Sequence, residues 1–375
     1  MQIGLVTWMG LGNYGTSLQA FALHEFLRKK GYKVYITDAF PKTKGLRSYI
    51  KLLLMVTGIM WLRNKWRFRS ENKKRKKIRS FRKRYFNVPI LETERQRRKY
   101  VENTDIFITG SDQIWNTYYC FNPFMFLDFA TNNKKIAYAS SIGTNSVNEV
   151  YKKRVKHLLS QFDCIGTREI DAVKILSELT NRNDIEQVID PTLLLDSNAW
   201  KYVCKKSKLG ISVPDEFILC YLIGNNERYN EQLQQVKKTI GIKNVVIVTS
   251  EENPNFNLDD AIIYDSADPF EFVSLIEKSS FVCTDSFHAT AFCINLQKEF
   301  VEFLRFVDTD IKSQNSRIYD LLSHYNLMNR IFETSDQWNL PIQFKETKEI
   351  LKSDREKSIR FLITAIEEDN NEFKK

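Results

Sequence analysis

Along the chain a unit recurs: a short β-branched apolar run, a loop of small polar residues, then a segment of helical period. In the first half the runs predict strands at Ile3–Trp8, Lys33–Asp38, Ile106–Thr109, Lys135–Ala139, Cys164–Gly166 and Glu186–Ile189. Helices are predicted at Ser17–Lys30, where Leu18, Phe21, Ala22 and Phe26 share a face, and at Glu169–Leu179. Asp190-Pro191-Thr192 breaks the pattern. The alternation then restarts with Phe217–Ile223, Asn244–Thr249, Ala261–Tyr264 and Phe281–Cys283, and a last long helix is predicted over roughly Glu346–Glu368. Two successive βα series define an α/β protein with two Rossmann-like, doubly wound parallel sheets and a cleft between them. The expected domains are residues 1–195 and 196–340, with 341–375 as a C-terminal helix packing back on the first domain. Ligands in such sheets sit at the carboxyl ends of the strands, so those loops are the ones to inspect.

A hydrophobic content of 43% and a charged content of 27% are those of a folded globular chain. The six cysteines form no CxxC pair and no Cys/His cluster, which argues against a disulfide framework or a zinc site. The opening MQIGLVTW reads as a first strand and not a secretory leader, which predicts a cytoplasmic protein. The net charge of +10 suggests nucleic acid until it is located. Arg63 to Arg84 holds thirteen Lys or Arg and one acid, a local charge of +12, so the rest of the chain carries −2. The protein is therefore nearly neutral with one basic insert, at about residues 45–88, and no nucleic-acid partner is expected. Upstream, Tyr49–Trp61 is apolar but shorter than the roughly 20 residues of a spanning helix. Two readings stand side by side: a basic element resting on an anionic membrane surface, at its inner face, or a solvated helix whose apolar end packs on the domain.

Three loops carry candidate chemistry. The first, Gly10-Leu11-Gly12-Asn13-Tyr14-Gly15, lies between a strand and a helix, and Asp38 ends the next strand. This fits a dinucleotide-binding turn, but a glycine loop before a helix suits any anion, or packing alone. The second, Gly110-Ser111-Asp112-Gln113-Ile114-Trp115-Asn116, bunches polar side chains able to bond sugar hydroxyls, with Trp115 offering a flat apolar face or a core residue. The third is Thr284-Asp285-Ser286-Phe287-His288, where a histidine behind polar residues can move protons. Arg168 ends a strand and presents a fork suited to a carboxylate or phosphate, or pairs with Glu169 or Asp171. Arg317 is a second cation of the same type.

Taken in order, the blocks NYGTSLQAFALHEFL, GSDQIWN, TREIDAVKIL, VIDPTLLL, TDSFHATAF and NSRIYDLL resemble the polysaccharide pyruvyltransferase family, from Ile3 to about Arg330. The resemblance implies a glycosyltransferase-B-like pair of domains. It also implies phosphoenolpyruvate as donor, and a ketal formed on two hydroxyls of a sugar in a surface polysaccharide or its precursor, such as a lipid-linked saccharide. No cofactor and no metal are implied. His288 becomes the expected acid/base, assisted by Arg168. Arg168, Asp285, Ser286 and Arg317 are expected on the donor, and Asn13, Gly15, Gln19, Ser111, Asp112 and Trp115 on the acceptor. Many members carry Ser-Arg-x-His-Gly where this chain has Asp285-Ser286-Phe287-His288-Ala289, so Arg168 and Arg317 must supply more of the anion binding. Three alternatives stay open: a nucleotide-sugar glycosyltransferase of the same architecture, an NAD-dependent oxidoreductase, and a non-catalytic, membrane-associated assembly protein.

Overall fold

A computed structural model describes residues 1–10, 12–40, 73–224, 226–249, 258, 260–309 and 313–368. The apolar stretch Tyr49–Trp61, the part of the basic insert before Lys73 and the chain after Glu368 lie outside the described residues.

The first sheet contains β1 (Gln2–Val6), β2 (Lys33–Thr37), β3 (Ile106–Thr109), β4 (Lys134–Ser140), β5 (Cys164–Thr167) and β6 (Glu186–Gln187), all parallel, in the order β2-β1-β3-β4-β5-β6. The second contains β7 (Ile218–Tyr221), β8 (Val245–Val248), β9 (Ile262–Tyr264), β10 (Phe281–Thr284) and β11 (Phe300–Glu302), also parallel, in the order β11-β10-β7-β8-β9. The strand order reverses between β1 and β3 in one sheet and between β7 and β10 in the other. These two reversals are where an open α/β sheet leaves a crevice.

Helix α1 (Tyr14–Lys29) follows β1 and is capped by Asn13, whose side chain accepts from the Gly15 amide at 2.8 Å. Its burial exceeds the single stripe that its period predicts, because both domains cover it. Phe21 meets Trp200 and Phe270, and Tyr14 stacks on Phe272 with ring centroids 4.8 Å apart. Helix α2 (Lys73–Tyr85) lies in the described part of the basic insert. It buries Ile78 and Phe81 and spans both domains: Lys74 donates to the Thr249 carbonyl, Lys77 pairs with Glu271 at 2.7 Å, and Arg82 donates to the Gly10 carbonyl.

Next along the chain come α3 (Glu94–Glu102), α4 (Glu149–Leu159), α5 (Ile170–Thr180), the single turn α6 (Pro191–Leu194) and α7 (Ser197–Cys204). The second domain adds α8 (Tyr229–Ile240), α9 (Pro269–Lys278), α10 (Phe287–Leu296) and α11 (Ser316–His324). The last helix, α12 (Phe344–Glu367), reaches the first sheet, with Phe361 against Gly166 and Ser358 accepting from the Ile189 amide at 3.0 Å. Among the described residues, no helix is long and apolar enough to cross a membrane.

Candidate active site between the two sheets

The carboxyl ends of β3 and β5 deliver Ser111 and Arg168 to the cleft, and the end of β10 opens α10 with Phe287 and His288. The two sides meet on one carboxylate. Asp190, at the N-cap of α6, is buried and accepts from the Thr192 amide and hydroxyl through Oδ1. Its Oδ2 accepts from Ser111 Oγ at 3.1 Å and Arg168 Nη1 at 3.1 Å, and lies 3.6 Å from His288 Nε2. Burial alone would raise this carboxyl, but the His288 ring and the Arg168 guanidinium outweigh it and hold Asp190 well below the usual carboxylate range.

Arg168 also donates through Nε to Glu169 Oε1 at 2.9 Å, while its Nη2 is buried with no partner. Its guanidinium lies 4.0 Å from the centroid of the Phe287 ring, and that of Arg317 lies 5.9 Å from the same centroid. Arg317 Nη2 donates to Gln314 at 2.7 Å, Gln113 approaches Nη1 at 2.9 Å, and Nε is buried and unpartnered. Burial, and then the like charge of Arg168, push the Arg317 guanidinium down to about 9. Glu169 Oε2 and Asp320 Oδ2 are buried without partners too, and burial with the nearby Asp171 and Glu169 pushes Asp320 up to about 6. A cavity of about 110 Å³ is lined by Arg168, Glu169, Asp190, Phe287, Arg317 and Asp320, among others. That is below the roughly 300–1,000 Å³ of a site for a drug-sized ligand and suits a small anion. Two cations held close together keep free donor atoms that can receive an anion, with the free oxygens of Glu169 and Asp320 on the same cavity.

Gly15 abuts this centre. A Cβ there would overlap the His288 imidazole, so glycine is what lets the start of α1 close on the start of α10. Asp112 faces the cleft from a left-handed backbone with φ of 76° and accepts from Thr16 Oγ1 at 2.8 Å. Ser111 is fully buried and holds Asp190 and the Ala139 carbonyl. Ser286 is buried at the N-cap of α10, its amide bonded to Thr284 Oγ1.

Four residues expected on a substrate spend their bonding groups elsewhere. Trp115 is 2% exposed, stacks on Phe126, and donates its indole N–H to the Met125 carbonyl, so it is a core residue. Gln19 is buried, and its amide is used up by Thr7, the Thr16 carbonyl and the Ser111 amide; it fixes the 110–112 loop. Asp285 is engaged within its own domain. Its carboxylate accepts from the amides of Ile223 and Gly224 at 2.7 and 2.6 Å, from Tyr229 at 2.8 Å, and from Arg305. Asn13 spends its side-chain oxygen on capping α1. Conversely, Asp190 and Gln314 belong to the site and were not singled out by the sequence. Asp190 stands before a proline and Gln314 in a short polar run, and turn chemistry explains each equally well. Among the described residues, no group of three or more His, Cys, Asp or Glu is placed to hold a metal ion.

This is a two-domain α/β protein of the glycosyltransferase-B type, and likeness to solved structures gives the same fold. The MnaA protein of S. aureus, solved with UDP, is 14% identical with a TM-score of 0.51, covering 98% of this chain and 99% of that one. A UDP-N-acetylglucosamine 2-epimerase is 13% identical with a TM-score of 0.50, covering 96% and 94%. No protein with a curated description matches the chain at a significant level. A family model described as polysaccharide pyruvyl transferase matches residues 13–304, and the chain belongs to that family.

Proposed function

We propose that the cleft transfers a pyruvyl unit from phosphoenolpyruvate to two hydroxyls of a sugar, in a surface polysaccharide or a lipid-linked precursor. The observation that carries this reading is the pair Arg168 and Arg317, each with a buried unpartnered nitrogen, flanking Phe287 beside the His288–Asp190 couple. One donor molecule offers both a carboxylate and a phosphate to two such cations. Protonation of its methylene carbon by His288 converts the enol ester into an oxocarbenium-like centre, and a sugar hydroxyl attacks it. The C–O bond to phosphate then breaks, phosphate leaves with the proton balance kept by the hydroxyl hydrogens, and a second hydroxyl closes the ketal. Asp190 orients the imidazole and offsets its charge, and the arginines stabilise charge on the departing phosphate. Ser111, Asp112 and the face of α1 at Gly15 border the acceptor side.

The test is release of inorganic phosphate from phosphoenolpyruvate dependent on added saccharide, with the donor also raising the melting point of the folded protein. Arg168→Ala should weaken donor binding and turnover together, since it removes the charged partner of a buried anion. A chain that is neither stabilised by phosphoenolpyruvate nor able to release phosphate from it, with any saccharide tried, does not carry out this reaction.

A further inference from the structure

Away from the cleft, a strongly charged surface runs over α2, α7, residues 205–208 and the end of α9. Helix α2 turns Lys73, Arg75, Lys76, Lys83 and Arg84 outward. Lys76 and Arg84 share a hollow with Lys206 and Lys208. A second hollow, of about 690 Å³, shares Lys208 and is lined by the exposed Lys201, Lys205 and Lys278 over Leu209, Ile211 and the buried Val273 and Leu296. The acids of both hollows are engaged: Glu271 by Lys77 at 2.7 Å, Asp268 by Ser207 at 2.6 Å, and Glu277 by Lys201 at 3.6 Å. Among the described residues Lys76, Lys205, Lys206, Lys208 and Lys278 make no ion pair, so this face carries uncompensated positive charge.

We propose that this face rests on an anionic lipid bilayer, its lysines on headgroup phosphates and its apolar hollow toward the acyl boundary. Charge complementarity selects an anionic partner. The apolar floor then favours lipid over nucleic acid, because the lining of that hollow contains no aromatic side chain on which a base could stack. In the neighbouring hollow Phe81 and Phe270 are buried and Tyr85 is partly so. At its border Tyr202 is 65% exposed, with Lys206 5.3 Å from its ring centroid, a pairing of aromatic and cation suited to the headgroup level. The docking surface is thus contributed by the second domain as well as the insert, and it does not depend on the reaction in the cleft.

Sedimentation with phosphatidylglycerol–phosphatidylcholine vesicles at low salt should pellet the full chain, and phosphatidylcholine alone should not. Reversing Lys205, Lys206, Lys208 and Lys278 to Glu should lower partitioning by at least about 100-fold, at roughly tenfold or less per charge removed, with an unchanged melting point. The neutral Lys→Gln set should show a smaller loss in the same direction, and decides the matter should the reversed protein fail to fold. Wild-type protein that ignores the anionic vesicles overturns the proposal. So do substituted proteins that still pellet fully, since the insert would then bind alone. Release by inorganic phosphate beyond the effect of its ionic strength would mark a small-anion site, and tighter binding to duplex RNA than to vesicles at equal salt a nucleic-acid surface; either result overturns it as well.

Discussion

Each domain carries an arginine–aspartate pair with a buried carboxylate at the carboxyl ends of its strands, the arginine buried in the first and partly exposed in the second, and the two pairs are finished differently. In the second domain, Asp285 receives two loop amides, a tyrosine hydroxyl and Arg305, and Arg305 spends its remaining Nη2 bond on the Asp285 carbonyl at 2.7 Å. In the first, Asp190 is equally well supplied, yet Arg168 Nη2, Glu169 Oε2 and Arg317 Nε beside it have no partner. A buried polar atom without a partner costs free energy, so a folded chain keeps few of them. Arg168 Nη2, Glu169 Oε2, Arg317 Nε and Asp320 Oδ2 border one cavity, whereas the Asp285 carboxylate has both oxygens engaged in holding a loop.

Mutations can break or sharpen that contrast. The largest effect is expected at His288: His288→Ala should cut turnover by roughly 10²–10⁴-fold while phosphoenolpyruvate still binds, as read by donor titration alongside single-turnover rates. Near-normal transfer by this variant would take the histidine out of the mechanism. Next comes the closed joint, where Asp285→Ala strands Arg305 and two amides. Unfolding in urea should show a loss of about 3–5 kcal/mol, the scale for breaking a buried pair. If instead stability holds and donor affinity collapses, the two sites have been assigned the wrong way round.

Arg317→Met probes the open side. Removing a buried charge that faces another cation should leave the melting point level or higher, yet weaken phosphoenolpyruvate by about 10–100-fold. A drop in stability with no change in donor affinity would make Arg317 structural. The smallest effect concerns Asp320. Its folded pKa of about 6 lies above its ordinary value of 3.8, so the protonated carboxyl favours the fold in acid and that contribution is lost as pH rises through about 6. Asp320→Asn should therefore raise the melting point at neutral pH, with the gain gone below about pH 4. An equal gain at both pH values would show that the substitution acts through packing.

The strands were legible because parallel strands buried on both faces read as continuous apolar runs. Ile106–Thr109 has the predicted bounds, and the other predicted strands differ by one or two residues at one or both ends. Strand β11 was not legible: its Glu302 interrupts the apolar pattern, and only the structure shows that residue fully buried against Thr290. Sequence singled out His288, Arg168 and Arg317 as candidates, but it could not say which acid lies beside His288 and Arg168. Asp190-Pro191 reads as a break whatever its side chain touches, since Asp before Pro caps a turn in either case. Trp115 and Gln19 show the opposite difficulty. A polar loop does not reveal which of its members point inward, and these two do because Met125, Thr7 and Ser111 offer their bonding groups there.

The Asp285 joint also bears on selectivity. It sits at the reversal between β7 and β10, where loop amides before a helix form a ready seat for a phosphate. In this chain the seat has a tenant attached by its own backbone. A tethered carboxylate acts as an internal competitor whose effective concentration, millimolar or higher even for flexible tethers, does not fall when the cell is depleted of small molecules. Any diphosphate entering that crevice must displace it and face a negative charge. A diphosphate thus meets an occupied seat at this reversal, while the free donor atoms border a cavity of only about 110 Å³ between the two domains.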